Sequence, residues 1–377
     1  MDFNYSDEQQ QLAESLRKFL GAHYGFDQRK AIVHSATGLS EPVWATLAEM
    51  GLTAIALPEE DGGFGGGAVD LMAAMEACGE ALVVEPLLDN VGLAGRLVAR
   101  TGTPAQRAAL LPGLADGTRR LALAYLEPGR RYDAAPRNTR AERRAEGWVL
   151  SGAKSVVIGA PQAHTLIVSA ATAEGTRLFI VDPATPGVAL SPCRTVDGQR
   201  AADIGFSDVA LGADALLGGS AGQAQPALDE ALDFATALLC AEAVGAMRYA
   251  VDATLEYTKT RKQFGVALAS FQVLQHRMVE MHIHTETARS MAILAASRVD
   301  GTDTSPAAVR ERQRAVSAAK LKIADAARLV SQEAVQLHGG MGMTEEMKVS
   351  HTFRRLTMLA QRFGDADHHL ARFARVS

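Results

Sequence analysis

Two groups of residues in this chain have the types and spacing to do chemistry. The first is Arg261-Lys262-Gln263-Phe264-Gly265 with Phe271-Gln272 just behind it, joined later by Gln336-Leu337-His338-Gly339-Gly340. An arginine carries a planar fork of donors that matches phosphate oxygens. A glycine pair lets a backbone approach a ligand with no side chain in the way. The second is Asp365, the carboxylate that follows Phe363-Gly364. It could act as a general base, but Ala366-Asp367-His368 reads as a helix start, which makes Asp365 an expected N-cap. Other combinations offer less. His282 and His284 are two apart on an expected helix and do not share a face. Cys78, Cys193 and Cys240 are odd in number and far apart, so neither a disulfide framework nor a CxxC metal site is expected. The glycines from Gly62 to Gly67 lack the Lys-Ser/Thr of a phosphate loop. His368-His369 is expected at a helix end or surface, and Lys320 to Arg328 on a solvated helix face of mixed charge.

The elements that must position these residues fall into three textures. Residues 1–115 read as helical: Ser6 with Gln9 forms a capping box, and Leu12, Leu16 and Leu20 repeat on one face. Pro58 to Gly67 is too glycine-dense for helix or strand. Over 116–222, short apolar runs such as Leu121–Ala124, Leu166–Val168 and Leu178–Val181 alternate with turns, the pattern of a β-sandwich or barrel. Ala134 to Glu146 is charged enough to be a solvated connection. From 223 to 377 helical periodicity returns. Met247, Val251 and Leu255 recur on one face, Ser305-Pro306 starts a helix, and Gly339-Gly340 stops it; a bundle is expected.

The chain has 377 residues, 47% hydrophobic and 21% charged, with net charge -5. That is enough for two or three domains. The acidic balance offers no footprint for nucleic acid. No apolar run is expected to reach the ~18 residues of a membrane helix, and Met1 to Asn4 has no basic n-region. Unpaired cysteines point to a reducing compartment, hence the cytoplasm.

In order along the chain come Trp44, Gly51-Leu52, Pro58-Glu59-Glu60, Gly62-Gly63 and Gly65, then Glu127-Pro128 and Asp133, then Leu150-Ser151-Gly152-Ala153-Lys154. Phe206-Ser207-Asp208-Val209, Leu217-Gly218, Arg261 to Gly265, Phe271-Gln272 and Gln336 to Gly342 complete the series. The ordered set resembles the acyl-CoA dehydrogenase family from end to end. The resemblance implies an α+β multidomain fold: an N-terminal helical domain (1–115), a central β-barrel (116–222) and a C-terminal four-helix bundle (223–377) carrying flavin and oligomer contacts. It implies FAD between barrel and bundle, α,β-dehydrogenation of an acyl-CoA thioester, and electron-transfer flavoprotein as acceptor. By the same resemblance Arg261, Phe264 and Gln272 lie at the adenosine-diphosphate half of a neighbouring subunit's FAD. Gln336, Gly339 and Gly340 match the segment that passes close to it.

The departures are as informative. Where the family's first flavin loop reads roughly Thr-Glu-Pro-x-Ala-Gly-Ser-Asp, this chain has Leu126-Glu127-Pro128-Gly129-Arg130-Arg131-Tyr132-Asp133. Where the second reads Trp-Ile-Thr-Asn-Gly, it has Val156-Val157-Ile158-Gly159-Ala160. Each lost polar partner costs roughly 1–3 kcal/mol of cofactor binding. Phe363 stands at the usual glutamate base, and Asp233-Phe234-Ala235-Thr236 supplies no base at the family's other location. The catalytic residue is therefore unknown, Asp365 being the one candidate. The pattern is most similar to the small subunits of heterotetrameric bacterial members such as pimeloyl-CoA dehydrogenase. That implies an α2β2 assembly with a larger subunit and a dicarboxylyl- or steroid-derived CoA ester. The alternatives are a self-sufficient homotetramer using Asp365, and a flavin-free structural or regulatory homologue.

Overall fold

The computed structural model describes residues 5–219 and 224–376. Met1–Asn4 and the expected 222/223 join lie outside the described residues. Six helices come first: α1 (Asp7–His23), α2 (Phe26–His34), α3 (Glu41–Glu49), α4 (Ala68–Ala81), α5 (Arg96–Thr101) and α6 (Pro104–Ala115). α1 starts on the expected capping box, with Ser6 and Gln9 exchanging side-chain and backbone hydrogen bonds. Its Leu16 and Leu20 are buried.

Seven strands follow: β1 (Leu121–Ala124), β2 (Arg140–Arg144), β3 (Gly147–Ile158), β4 (Thr165–Thr172), β5 (Gly175–Val181), β6 (Val188–Arg194) and β7 (Arg200–Gly212). They form one curled sheet in the order β1-β4-β2-β3-β7-β6, with β5 on β4. Its core gathers Leu150, Leu166, Phe179, Ile204 and Phe206. β2 corrects an expectation: residues 140–144 form a strand paired antiparallel with β3, not a loose connection. Its charges are exposed because only Ala141 turns inward.

The C-terminal region holds α7 (Ala224–Thr260), the small β8–β9 hairpin (Lys262–Gln263, Val266–Ala267), α8 (Gln272–Val299), α9 (Pro306–His338), α10 (Lys348–Gln361) and α11 (Ala366–Val376). α9 is capped by Ser305 with proline at its first turn. By composition α7 could cross a membrane, contrary to the expectation that no segment could, yet 83% of its apolar window is buried inside the protein. It is a core helix, and its apolar face leaves the core toward its C-terminal end: Met247 is buried and Leu255 exposed.

The contacts divide the chain into two compact units, residues 1–29, 68–83 and 236–377 in one, residues 30–67 and 84–235 in the other. Inside the first, α4 meets α7 backbone to backbone. A Cβ on Gly79 would lie 2.0 Å from the Glu242 carbonyl, and one on Gly245 would lie 1.9 Å from that of Glu76. Only glycine fits at such a crossing.

Candidate functional site

Within the bundle unit, α7 ends at Thr260, Arg261 follows it directly, and the hairpin turn places Phe264 and Gly265 at φ 55° and 83°. Two successive left-handed residues make the tight turn whose twist suits a hairpin. Leu268 N–H closes the loop on Arg261 O at 2.9 Å. Phe264 is 91% exposed and meets Phe271 edge-on at 6.3 Å. Gln272 opens α8, exposed. Arg261 is exposed and makes no ion pair among the described residues. The last turn of α9 is tied to the same end of the bundle: the His338 ring stacks on Tyr257 at 4.4 Å. Gln336, in that last turn, and Gly339 and Gly340, in the tight turn just past it, are therefore held at this end of the bundle, and all three are exposed. A Cβ at either glycine would meet nothing within 4 Å. The structure thus brings all six expected residues to one end of the unit.

The sheet unit carries the two loops. Lys154, on β3, and Glu127 form a fully buried pair at 3.2 Å. Lys154 also donates to Tyr125 O and Ser169 Oγ, each at 3.1 Å. Glu127 accepts three backbone N–H groups, from Arg137, Asn138 and Thr139. Burial pushes that carboxyl up, but the three amides and Lys154 outweigh it and hold it at about 2. Burial brings the Lys154 amine down to about 8, with the carboxylate offsetting part. The pair fixes the first loop to β3, and Ser155 N–H donates to Leu126 O at 2.9 Å, so the two loops lie side by side.

What the loops present is aliphatic or already engaged. Arg130 pairs with Asp133. Val156 stands at φ 50°, an outlier for a β-branched residue, and is 46% exposed. Its N–H is bound to Asp203 Oδ1 at 2.8 Å. Leu126, Val156 and Ile158 bring no hydroxyl or aromatic group to their places in these loops. Arg261 and the open backbone at Gly339 and Gly340 have the chemistry to hold the phosphate half of FAD, whereas Leu126, Val156 and Ile158 offer its ring no side-chain hydrogen-bond partner.

The base position is an elbow. Phe363 has φ 60° and Gly364 φ 121°. His369 Nε2 lies 3.1 Å from Phe363 O, and Lys320 Nζ donates to Ala360 O at 2.9 Å and Gly364 O at 2.7 Å. Lys320 is buried, which corrects its expected place on a solvated face, and His369 is at a helix end as expected, in the first turn of α11, but buried rather than at the surface. Lys320 sits among Ala319, Ile323, Ala324 and Ala327 on the apolar face of α9. That spacing is a signal sequence reasoning could have used. Asp365 caps α11: its Oδ1 accepts His368 N–H at 2.9 Å. At the other base location Phe234 is fully buried. Arg96 lies 3.7 Å over its ring, with Glu230 holding the guanidinium.

Comparison with known proteins agrees with this architecture. The acyl-CoA dehydrogenase N-terminal, middle and C-terminal domain models match residues 6–118, 122–209 and 225–377. Acyl-CoA dehydrogenase FadE12 of Mycobacterium tuberculosis is 32% identical, over 95% of this chain and 93% of that one. Among solved structures, a Tcur3481-Tcur3483 steroid ACAD variant is 31% identical with TM-score 0.87, covering 98% and 97%. The ChsE4-ChsE5 complex from Mycobacterium tuberculosis shares the fold at TM-score 0.90 and 24% identity, covering 100% and 98%. This chain belongs to the acyl-CoA dehydrogenase family. It is an oxidoreductase of acyl-CoA thioesters with FAD as cofactor.

Proposed function

We propose that this chain is the base-lacking subunit of a heteromeric, α2β2 acyl-CoA dehydrogenase, supplying its bundle to FAD seated in a larger partner's middle domain. The observation that carries the reading is the contrast between the two units. Arg261, Phe264, Gln272, Gln336, Gly339 and Gly340 stand exposed at one end of the bundle unit, while the sheet loops offer Leu126, Val156 and Ile158, with the Val156 amide taken by Asp203.

FAD, when bound, accepts the hydride that leaves the β-carbon of the acyl chain. Arg261 then pairs with its diphosphate, a charge-assisted contact suited to the guanidinium fork. The open glycines admit the cofactor to the backbone at Gln336 and beyond. The α-proton goes to a carboxylate of the partner, since Phe363 carries none and Asp365 is committed to its cap. Of the two substrate classes expected, the 31% identical relative described as a steroid ACAD supports a steroid-derived CoA ester over a dicarboxylyl one. Electrons pass on to an electron-transfer flavoprotein, and three cysteines outside any disulfide suit work in the cytoplasm.

The test is flavin content. The chain purified alone is expected to be colourless, and its co-expressed complex to hold one FAD per heterodimer. One FAD per chain in the isolated protein overturns the reading in favour of a self-sufficient homotetramer. A colourless co-expressed complex overturns it in favour of a flavin-free homologue.

A further inference from the structure

A cavity of ≈ 480 Å³ opens in the bundle unit between α1, α4, α7 and the start of α10. Much of its wall is apolar, from Leu20, Tyr24, Phe26, Ala77, Ala81 and Ala253. One amine stands on that wall. Lys348 Nζ lies 3.9 Å above the Tyr249 ring, and among the described residues it makes no ion pair. The charges around it are otherwise committed. Glu80 of α4 is held by Arg17 of α1 at 2.9 Å and by Arg248 of α7 at 3.1 Å. Arg29 of α2 adds positive charge. Asp252 and Glu256 of α7 are exposed at the cavity's edge.

The geometry points to Lys348 as a site of covalent acylation, taking the acyl group of a CoA thioester whose chain lies in this cavity. The family's substrates and products supply the donor. The neutral amine attacks the thioester carbonyl. An N–C bond forms, the C–S bond breaks, CoA leaves as thiolate, and the amine's proton goes to solvent or to the departing thiolate. No electrons change hands. Burial first, and Arg29 next, bring this amine down to about 8, Glu80 opposing. A substantial neutral fraction is therefore present near neutral pH, as an exposed lysine's is not. Acylation would replace the cation over Tyr249 with a neutral amide. This inference does not depend on the heteromeric reading.

The test uses the full chain in its purified assembly, butyryl-CoA as donor, and peptide mass spectrometry. The exposed Lys18 and Lys262 serve as internal controls. At pH 7.5 Lys348 is expected to butyrylate about tenfold faster than either, the larger neutral fraction outweighing its lower basicity. Its rate should level off above about pH 8.5, while the controls climb toward about pH 10. Ala253→Leu, which narrows the cavity, should slow Lys348 several-fold and leave Lys18 unchanged. A rate at Lys348 no greater than at the controls, or one untouched by Ala253→Leu, overturns the proposal.

Discussion

Lys320 Nζ donates 2.7 Å to the carbonyl oxygen of Gly364, forty-four residues away in sequence, and 2.9 Å to that of Ala360, with no carboxylate among its hydrogen-bond partners in the described residues. An ammonium buried against carbonyls holds the Phe363–Gly364 elbow in place. Burial brings this amine down to about 8, with Cys240 and Asp365 opposing.

Lys320→Ala leaves the Ala360 and Gly364 carbonyls unsatisfied, at roughly 1–3 kcal/mol each. The linkage has a definite sign. With a folded value near 8 against about 10.5 unfolded, the unfolded chain binds more protons between those pH values. The penalty for the buried charge is full below pH 8 and is relieved as pH rises through that window. Urea unfolding at several pH values should therefore show wild type gaining stability over that window relative to Lys320→Met. Parallel profiles would mean that Lys320 is not held as a buried ammonium.

Asp365 separates capping from catalysis. Asp365→Asn can still accept the His368 N–H, so turnover of the assembled enzyme should stay within a few-fold of wild type. Asp365→Ala should cost about 1 kcal/mol of stability. A drop in turnover of two or more orders of magnitude in folded Asp365→Asn would place the base on this chain.

Arg261 is exposed, so Arg261→Ala should leave the subunit folded. Losing a charge-assisted bond costs about 1.5–3 kcal/mol. FAD release from the assembled complex, followed by flavin fluorescence, should then show at least tenfold weaker binding. Unchanged affinity in an intact assembly would make Arg261 an ordinary surface residue.

Glu127→Gln breaks the buried pair and strands the Lys154 ammonium, a loss of about 3–5 kcal/mol. Because Glu127 is held at about 2 in the fold, its stabilisation is complete above the unfolded value of about 4.3. It fades as pH falls from there toward 2. Acid unfolding of wild type should show that decline, and the variant should lack this share of it.

Most of the architecture was legible because helix and strand periodicities differ and caps have local signatures. Ser6–Gln9 and Ser305-Pro306 start helices where their chemistry says they should. Lys320 and His369 were misplaced because a charged side chain is ordinarily solvated. Their burial is set by backbone carbonyls at 360, 363 and 364, partners that composition does not reveal. β2 was missed for the related reason that its charges point outward while its backbone pairs with β3. The Val156 amide and its Asp203 partner lie on strands that are paired only in the fold.

That last contact bears on how readily this face could be re-equipped. A tryptophan placed at 156 would inherit a left-handed backbone, a strain of order 1–3 kcal/mol that Val156 already carries. A threonine restored at 158 would sit beside an amide still claimed by Asp203. Relieving Asp203 alone frees the amide but supplies neither ring cover nor hydroxyl. No single substitution therefore supplies ring cover, a hydroxyl and a free amide together. Engineers seeking a self-contained flavoenzyme from this scaffold should graft both loops as a block, so that all three arrive together.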